Sequence, residues 1–337
     1  MKKKHVLVLG STGAMGRYLV PCLVELGYDV TGVSLDDEIP CAPNVTCIKG
    51  NAKDREFITE LLKQKFDGIV NFMSYSSVPF DNWYRLFLDN TDHYIFLSSC
   101  RVYADEEVPV RETSPRLLDV STDEALLASN DYCIHKAKAE NLLWTSDYKN
   151  FTIVRPATTF SNLRFQLVTL EAANTVGRAM KGKKVVLPIQ AKDKPATLCW
   201  GGDVAKMIAQ LMFKPEAMRE AYNVCSSESR TWGEIAQYYK QLCGLEAVWV
   251  DKEDYLMIKS EPPTISNSVR WQLEYARLFR RITDNSKVLA VTGLKQEQFM
   301  PLYDALKMMI DAVPEGYEFP DNAVDVRMDA YLEEHNL

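Results

Sequence analysis

Tyr132 and Lys136 are the pair in this sequence best suited to moving a proton. On a helix, a spacing of four brings both side chains to one face. An ammonium beside a phenol favours the phenolate, lowering a pKa of about 10 toward the range of a working acid or base. Tyr-x-x-x-Lys arises often by chance, so its position has to give it weight. It follows the run Tyr94-Ile95-Phe96-Leu97-Ser98-Ser99, a strand-like stretch ending in two hydroxyls. Open α/β sheets bind ligands at the carboxyl ends of their strands. One of these hydroxyls can hold a substrate oxygen while Tyr132 passes the proton.

A second chemical feature lies near the start, in Gly10-Ser11-Thr12-Gly13-Ala14-Met15-Gly16. Glycines let a backbone approach a pyrophosphate, and the helix N-terminus that follows offers unpaired N–H groups. The run sits between an apolar strand and an amphipathic helix, the context the motif requires. Gly10, Thr12, Gly13, Ala14, Met15 and Gly16 are therefore the candidate cradle. Cofactor choice belongs to the end of the next strand, where an acid would meet the ribose hydroxyls and a base a 2′-phosphate. That segment offers Ser34 and Asp36 and no Arg or Lys, which favours NAD, with NADP as the alternative. Arg17, directly after the cradle, is either a phosphate ligand or a solvated side chain.

These residues need a frame. His5–Leu9, Asp29–Val33, Thr46–Ile48, Gly68–Phe72, Tyr94–Ser98 and Phe151–Val154 read as strands, with helices over Met15–Leu26, Glu56–Gln64, Trp83–Leu88 and Tyr132–Trp144. Such alternation is the signature of βαβ units, and the nearly unbroken apolar character suits strands covered on both faces. The expected class is α/β, a Rossmann doubly wound parallel sheet with a smaller C-terminal mixed α/β substrate domain. Residues 1–160 are expected to bind the dinucleotide and 161–337 mainly the substrate, with some later segments returning to the sheet. In that second part, Phe165–Lys181, Trp232–Leu242, Leu273–Leu278 and Pro301–Val313 read as helices, with Leu198–Met212 a strand-to-helix step. Val185–Leu187, Tyr222–Val224 and Val248–Val250 read as short strands. The acidic tail after Pro314 reads either as a docked helix or as a frayed end.

The motifs together resemble the extended short-chain dehydrogenase/reductases, which include nucleotide-sugar epimerases and dehydratases. The residues that carry the likeness are Gly10/Gly13/Gly16, Ser98-Ser99-x-x-Val102-Tyr103, Tyr132-x-x-x-Lys136-x-x-x-Glu140, Val154-Arg155-Pro156, Asp203-Val204-Ala205, and Tyr222-Asn223-Val224 followed by Thr231-Trp232. The resemblance implies Ser99 as the catalytic serine beside Tyr132 and Lys136. It places Asn51 and Ala52 near the adenine, and Phe72, Met73, Ser74 and Pro156 along the dinucleotide. It further implies a nucleotide-sugar substrate and a homodimer. The chain departs from the pattern at several places. Cys100 and Arg101 stand where sugar dehydratases carry an Asp-Glu pair, which argues against dehydration, and Cys100 reads as a packed thiol. Ala196 stands where many UDP-sugar epimerases have a diphosphate-gripping arginine, and Thr158 where an asparagine is usual. Lys192, Lys194, Arg280 or Arg281 are the alternative sources of charge. The short interval between Met73 and Ser99 resembles an atypical branch that also contains RNA-binding proteins. The activity implied is that of an NAD(P)-dependent nucleotide-sugar 4-epimerase. The alternatives are an NADP-dependent carbonyl reductase and a dinucleotide-binding sensor or RNA-associated protein without turnover.

Bulk properties narrow these choices. A net charge of −7 over 337 residues gives no electrostatic case for nucleic acid. No apolar run approaches the ~20 residues of a membrane span, and the apolar stretch Val6–Leu9 is too short for a signal peptide. A cytoplasmic protein is the expectation. The eight cysteines form no C-x-x-C pair or Cys/His cluster, which predicts reduced thiols and no metal.

Overall fold

The computed structural model describes residues 3–36, 44–75 and 80–337. Its centre is a parallel sheet of seven strands: β1 (His5–Leu9), β2 (Asp29–Ser34), β3 (Val45–Lys49), β4 (Gly68–Asn71), β5 (His93–Leu97), β6 (Phe151–Pro156) and, after a long excursion, β11 (Glu220–Val224). They run in the order β11-β6-β5-β4-β1-β2-β3. Register follows from the central strand, where Val6 pairs with Val30 on one side and with Gly68 on the other. The strand order reverses between β1 and β4, which run parallel, so a crevice opens beyond their carboxyl ends.

The strand alternation explains the two covered faces. Val6 and Val8 join one core with Leu19 and Leu23 of the helix Gly16–Glu25 and with Val204, Met207 and Ile208 of the helix Gly201–Leu211. Leu7 and Leu9 join the other, with Ile58 and Leu62 of the helix Arg55–Leu62, Phe87 of the helix Tyr84–Leu88, and Leu143 of the helix Tyr132–Thr145.

A third core belongs to residues after Phe160. Around it lie three two-stranded ladders: β7 (Thr158–Phe160) with β10 (Leu198–Trp200), β8 (Val185–Pro188) with β13 (Ala247–Val250), and β9 (Pro195–Ala196) with β12 (Arg230–Thr231). The helix expected over Phe165–Lys181 is largely absent. Leu167 and Leu170 exchange backbone hydrogen bonds across a turn, Val168 takes φ 54°, and helix begins only at Val176–Met180. Phe165, Leu167, Val168 and Leu170 are all fully buried. The apolar density that reads as a helix face is an irregular segment buried on every side.

The tail folds as a docked helix, Ala323–Glu334, opened by a capping box in which Asn322 accepts from the backbone N–H of Asp325. Thiol chemistry departs from expectation at one point. Cys47, on the edge strand β3, is disulfide-bonded, while Cys22, Cys100, Cys133, Cys199, Cys225 and Cys243 are free; Cys41 lies outside the described residues. Among the described residues no helix is long and apolar enough to cross a membrane.

Candidate active site

Strand β5 ends at Leu97 and delivers Ser98 and Ser99 to the carboxyl edge of the sheet. Ser99 caps a short 3-10 turn, Cys100–Val102, by accepting from the Arg101 backbone N–H at 3.2 Å. The helix that follows opens at Tyr132, capped by the Asp131 carboxylate, which accepts from the Cys133 N–H. The same carboxylate receives the Arg101 guanidinium at 3.1 Å, so one ion pair ties the serine turn to the start of the tyrosine helix. Lys136 lies one turn further on. Its Nζ sits 5.8 Å from the centre of the Tyr132 ring and 4.9 Å from that of Phe96, and donates to the Leu97 carbonyl at 2.6 Å.

Ser99, Tyr132 and Lys136 thus converge, but the charges act differently from the sequence expectation. Burial raises the Tyr132 phenol above its usual value, against the lowering influence first of the Ser99 hydroxyl and then of Arg101. Arg101, with its guanidinium 5.4 Å from the ring centre, is the cation that acts on the tyrosine. Lys136 is turned to a backbone carbonyl and is itself depressed to about 7, chiefly by burial. His135 is also held neutral, at about 4, by burial and by Lys136; its Nε2 lies 3.4 Å from the Ser74 Oγ. Tyr132 is therefore a protonated phenol at neutral pH.

Several motif residues form a support and not a reaction centre. Arg155 donates to both oxygens of Glu140, at 2.8 and 2.6 Å, and to the Tyr103 hydroxyl at 2.8 Å. Tyr103 in turn donates to Asn223 at 2.7 Å. All four are buried. This chain joins β6, β11, the serine turn and the tyrosine helix below the site.

The glycine run has the shape of a cradle. Gly10 takes φ +87°, and a Cβ there would meet Met73; a Cβ at Gly16 would collide with the Gly10 carbonyl oxygen. Thr12 Oγ1 and Ser34 Oγ lie 2.5 Å apart, and Ser34 also accepts from the Asp36 N–H at 3.2 Å. Ser34 therefore fixes the loop against the end of β2, leaving Asp36 exposed beyond it. Ala14 and Met15 lead into the first helix, with Arg17 exposed just after. Asn51 is exposed after β3 while Ala52 is buried beside it; Phe72, Met73 and Ser74 continue from β4, and Pro156 ends β6. All these positions lie at or just beyond the carboxyl ends of strands. A loop in which Gly16 has no room for a Cβ and Gly10 holds a positive φ, with no base at Ser34 or Asp36, fits a dinucleotide lacking a 2′-phosphate.

A model of the NAD dependent epimerase/dehydratase family matches residues 6–90 and 82–225, more than half of the chain. The chain belongs to that family. It is an NAD-dependent enzyme with a Rossmann-type sheet. Among solved structures, this epimerase/dehydratase family member is similar to a UDP-glucose 4-epimerase from Thermotoga maritima determined with UDP-glucose, at 18% identity and TM-score 0.65, covering 91% of this chain and 97% of that one. A Thermus thermophilus UDP-glucose 4-epimerase complexed with NAD has the same identity and TM-score, with coverage of 91% and 98%. A Bacillus cereus UDP-glucuronic acid 4-epimerase, complexed with UDP-glucuronic acid and NAD, aligns at 14% identity and TM-score 0.67 over 93% and 100%. At these identities the likeness is one of fold. No protein with a curated description matches the sequence.

Two further arginines face this site. Arg277 donates to Thr158 Oγ1 at 3.2 Å and to the Val168 carbonyl at 2.7 Å; Arg281 donates to the carbonyls of Tyr103 and Ala104 at 2.7 and 3.2 Å. The Arg281 backbone N–H bonds to Pro195, beside Ala196. Arg280 instead turns outward to Asp105. No local pattern marks Arg277, and only the fold brings it to Thr158.

Proposed function

We propose that this family member is a nucleotide-sugar 4-epimerase in which Tyr132 moves the proton, Ser99 holds the reacting oxygen and Lys136 holds the nicotinamide ribose. The observation that carries this reading is the convergence of Ser99, Tyr132 and Lys136 at the sheet edge that also bears the glycine cradle. Residues 1–160 would make the cofactor domain and residues 161–337 mainly the substrate region, with β11 completing the sheet. Gly10, Thr12, Gly13, Ala14, Met15 and Gly16 would hold the pyrophosphate. Ser34 and Asp36 would meet the ribose, Asn51 and Ala52 the adenine, and Phe72, Met73, Ser74 and Pro156 the remainder. NAD, when bound, supplies the hydride acceptor and donor.

Tyr132, protonated at rest, donates to a carbonyl oxygen directly. To take a proton from a hydroxyl it relies on Ser99 and on the Arg101 charge, both of which favour the phenolate. In an epimerase the same phenol removes the proton and returns it after the sugar has presented its other face.

Protein loaded with NAD is expected to interconvert UDP-glucose and UDP-galactose, or their C6 acids, without net NADH. Tyr132→Phe should lower that rate by about 10²–10⁴-fold and leave NAD affinity unchanged. Steady NADPH consumption with a carbonyl substrate, and no interconversion, would replace the epimerase reading with a reductase.

A further inference from the structure

Three guanidinium groups act on one another around Cys100, next to the Ser99 turn, and they are poorly neutralised. Arg101 has one carboxylate partner, Asp131 at 3.1 Å. Among the described residues neither Arg277 nor Arg281 has a carboxylate at ion-pair distance, and both are held by carbonyls and one hydroxyl. The Nε–H groups of Arg101 and Arg281 are buried without an acceptor. The side chain of Arg101 is 12% exposed, and Arg281 as a residue 6%. Desolvation and mutual repulsion are both felt here. Burial first, and then Arg101 and Arg281, hold Arg277 down to about 10, and Arg281 is lowered in the same way.

A purely structural role explains the backbone bonds of Arg277 and Arg281. It does not explain two buried Nε–H donors left without acceptors, because burying an unmet charged donor costs more than replacing it with an apolar residue. Such a cluster is completed by an anion with several oxygens, which arginine forks recognise in pairs.

We infer that Arg101, Arg277 and Arg281 form an anion subsite at the reacting end of the substrate, so that the sugar carries a carboxylate or phosphate next to the hydroxyl that reacts. This rests on reading Ser99 and Tyr132 as the place of that hydroxyl. The location decides between the two anions a nucleotide sugar can offer. Arg101 lies two residues after Ser99 and covers the Tyr132 ring. A group it grips belongs to the reacting sugar and not to the diphosphate at the sugar's other end.

The test uses NAD-saturated protein, which keeps the glycine cradle filled. Inorganic phosphate is expected to raise the melting temperature in a concentration-dependent way. Arg101→Gln should weaken that effect by about 10- to 100-fold in apparent affinity. Arg277→Gln, checked for folding by circular dichroism, should do the same and serves if the first variant does not fold. No stabilisation by phosphate, or stabilisation untouched in a folded variant, overturns the subsite. UDP-glucuronate and UDP-glucose then separate the two sources of charge by calorimetry. The acid should bind about tenfold or more tighter, and Arg101→Gln should erase the difference. Equal weakening of both nucleotide sugars would move the anion to the diphosphate and overturn the proposal. Protein that binds phosphate through Arg101 but neither nucleotide sugar keeps the subsite and loses the epimerase reading.

Discussion

Lys136 is 1% exposed and shares its surroundings with Phe96, Tyr132 and the Leu97 carbonyl. Its ammonium is destabilised by burial, partly offset by Glu140, and opposed further by Lys53, which leaves the pKa at about 7. An unfolded lysine binds its proton up to a pKa of about 10.4. Between those values the unfolded chain carries more protons than the folded one, so this residue makes stability rise with pH across that window. Below about pH 7 both states are protonated, and the folded state bears the full burial penalty. Lys136→Met removes that penalty. Urea unfolding without cofactor should therefore find the variant more stable than the parent at pH 6, by an amount on the order of several kcal/mol. The gap should close toward pH 10. A gap independent of pH would mean that Lys136 keeps its ordinary basicity.

At the scale of elements, the buried chain Glu140–Arg155–Tyr103–Asn223 joins segments distant in sequence. Burial alone would raise Glu140, but Arg155 and then Arg116 hold its carboxyl low. Glu140→Leu leaves Arg155, 3% exposed, without its only carboxylate partner within ion-pair distance among the described residues. Breaking such a pair from one side costs about 3–5 kcal/mol, measurable as a lowered urea midpoint at unchanged slope. A double replacement that removes Arg155 as well should recover part of the loss. The strands of the sheet and the tyrosine helix were legible because their apolar patterns are local: β1, β2, β4 and β5 fall within a residue or so of their expected limits. Where burial is set by the tertiary neighbours, pattern misleads. Phe165–Leu170 is apolar on all sides and irregular, while the helix Lys252–Lys259 hides Tyr255, Leu256 and Ile258 behind Lys252, Glu253 and Asp254. Ser99, Tyr132 and Lys136 could be placed from spacing and resemblance. Arg281 was already a candidate source of charge, but Arg277 could not be placed, since it reaches Thr158 only through the packing of a segment with no catalytic motif.

The whole molecule rests on four hydrophobic clusters: the candidate cradle touches the two on the faces of the sheet, the C-terminal helix serves the third, and a small fourth one packs Cys133 and Ile134 of the tyrosine helix. Met328 and Leu332 of the helix Ala323–Glu334 are buried in that third core, and Arg178 is paired with Asp325 and Asp329 at 3.4 and 2.7 Å. A chain ending at residue 321 exposes the apolar contacts and leaves Arg178, whose side chain is 1% exposed, without a carboxylate at ion-pair distance among the described residues. Loss of the ion pairs alone costs about 3–5 kcal/mol, and the lost side-chain burial adds to it. The glycine cradle, by contrast, is made by β1, β2 and the first helix, whose buried apolar residues belong to the two cores on the faces of the sheet and not to the one that holds Met328 and Leu332. Truncation should thus lower the melting temperature without changing NAD affinity at a temperature where the shortened chain is folded. Ligand-linked stabilisation depends only on concentration relative to Kd, about 2.7 kcal/mol at a hundredfold excess. The NAD-dependent gain in unfolding free energy should therefore be the same for both chains. A smaller gain in the shortened chain would show that the third core holds the cradle in shape, through Leu198 and Trp200 of β10, which lead into Gly201, where a Cβ would collide with the Ala14 carbonyl.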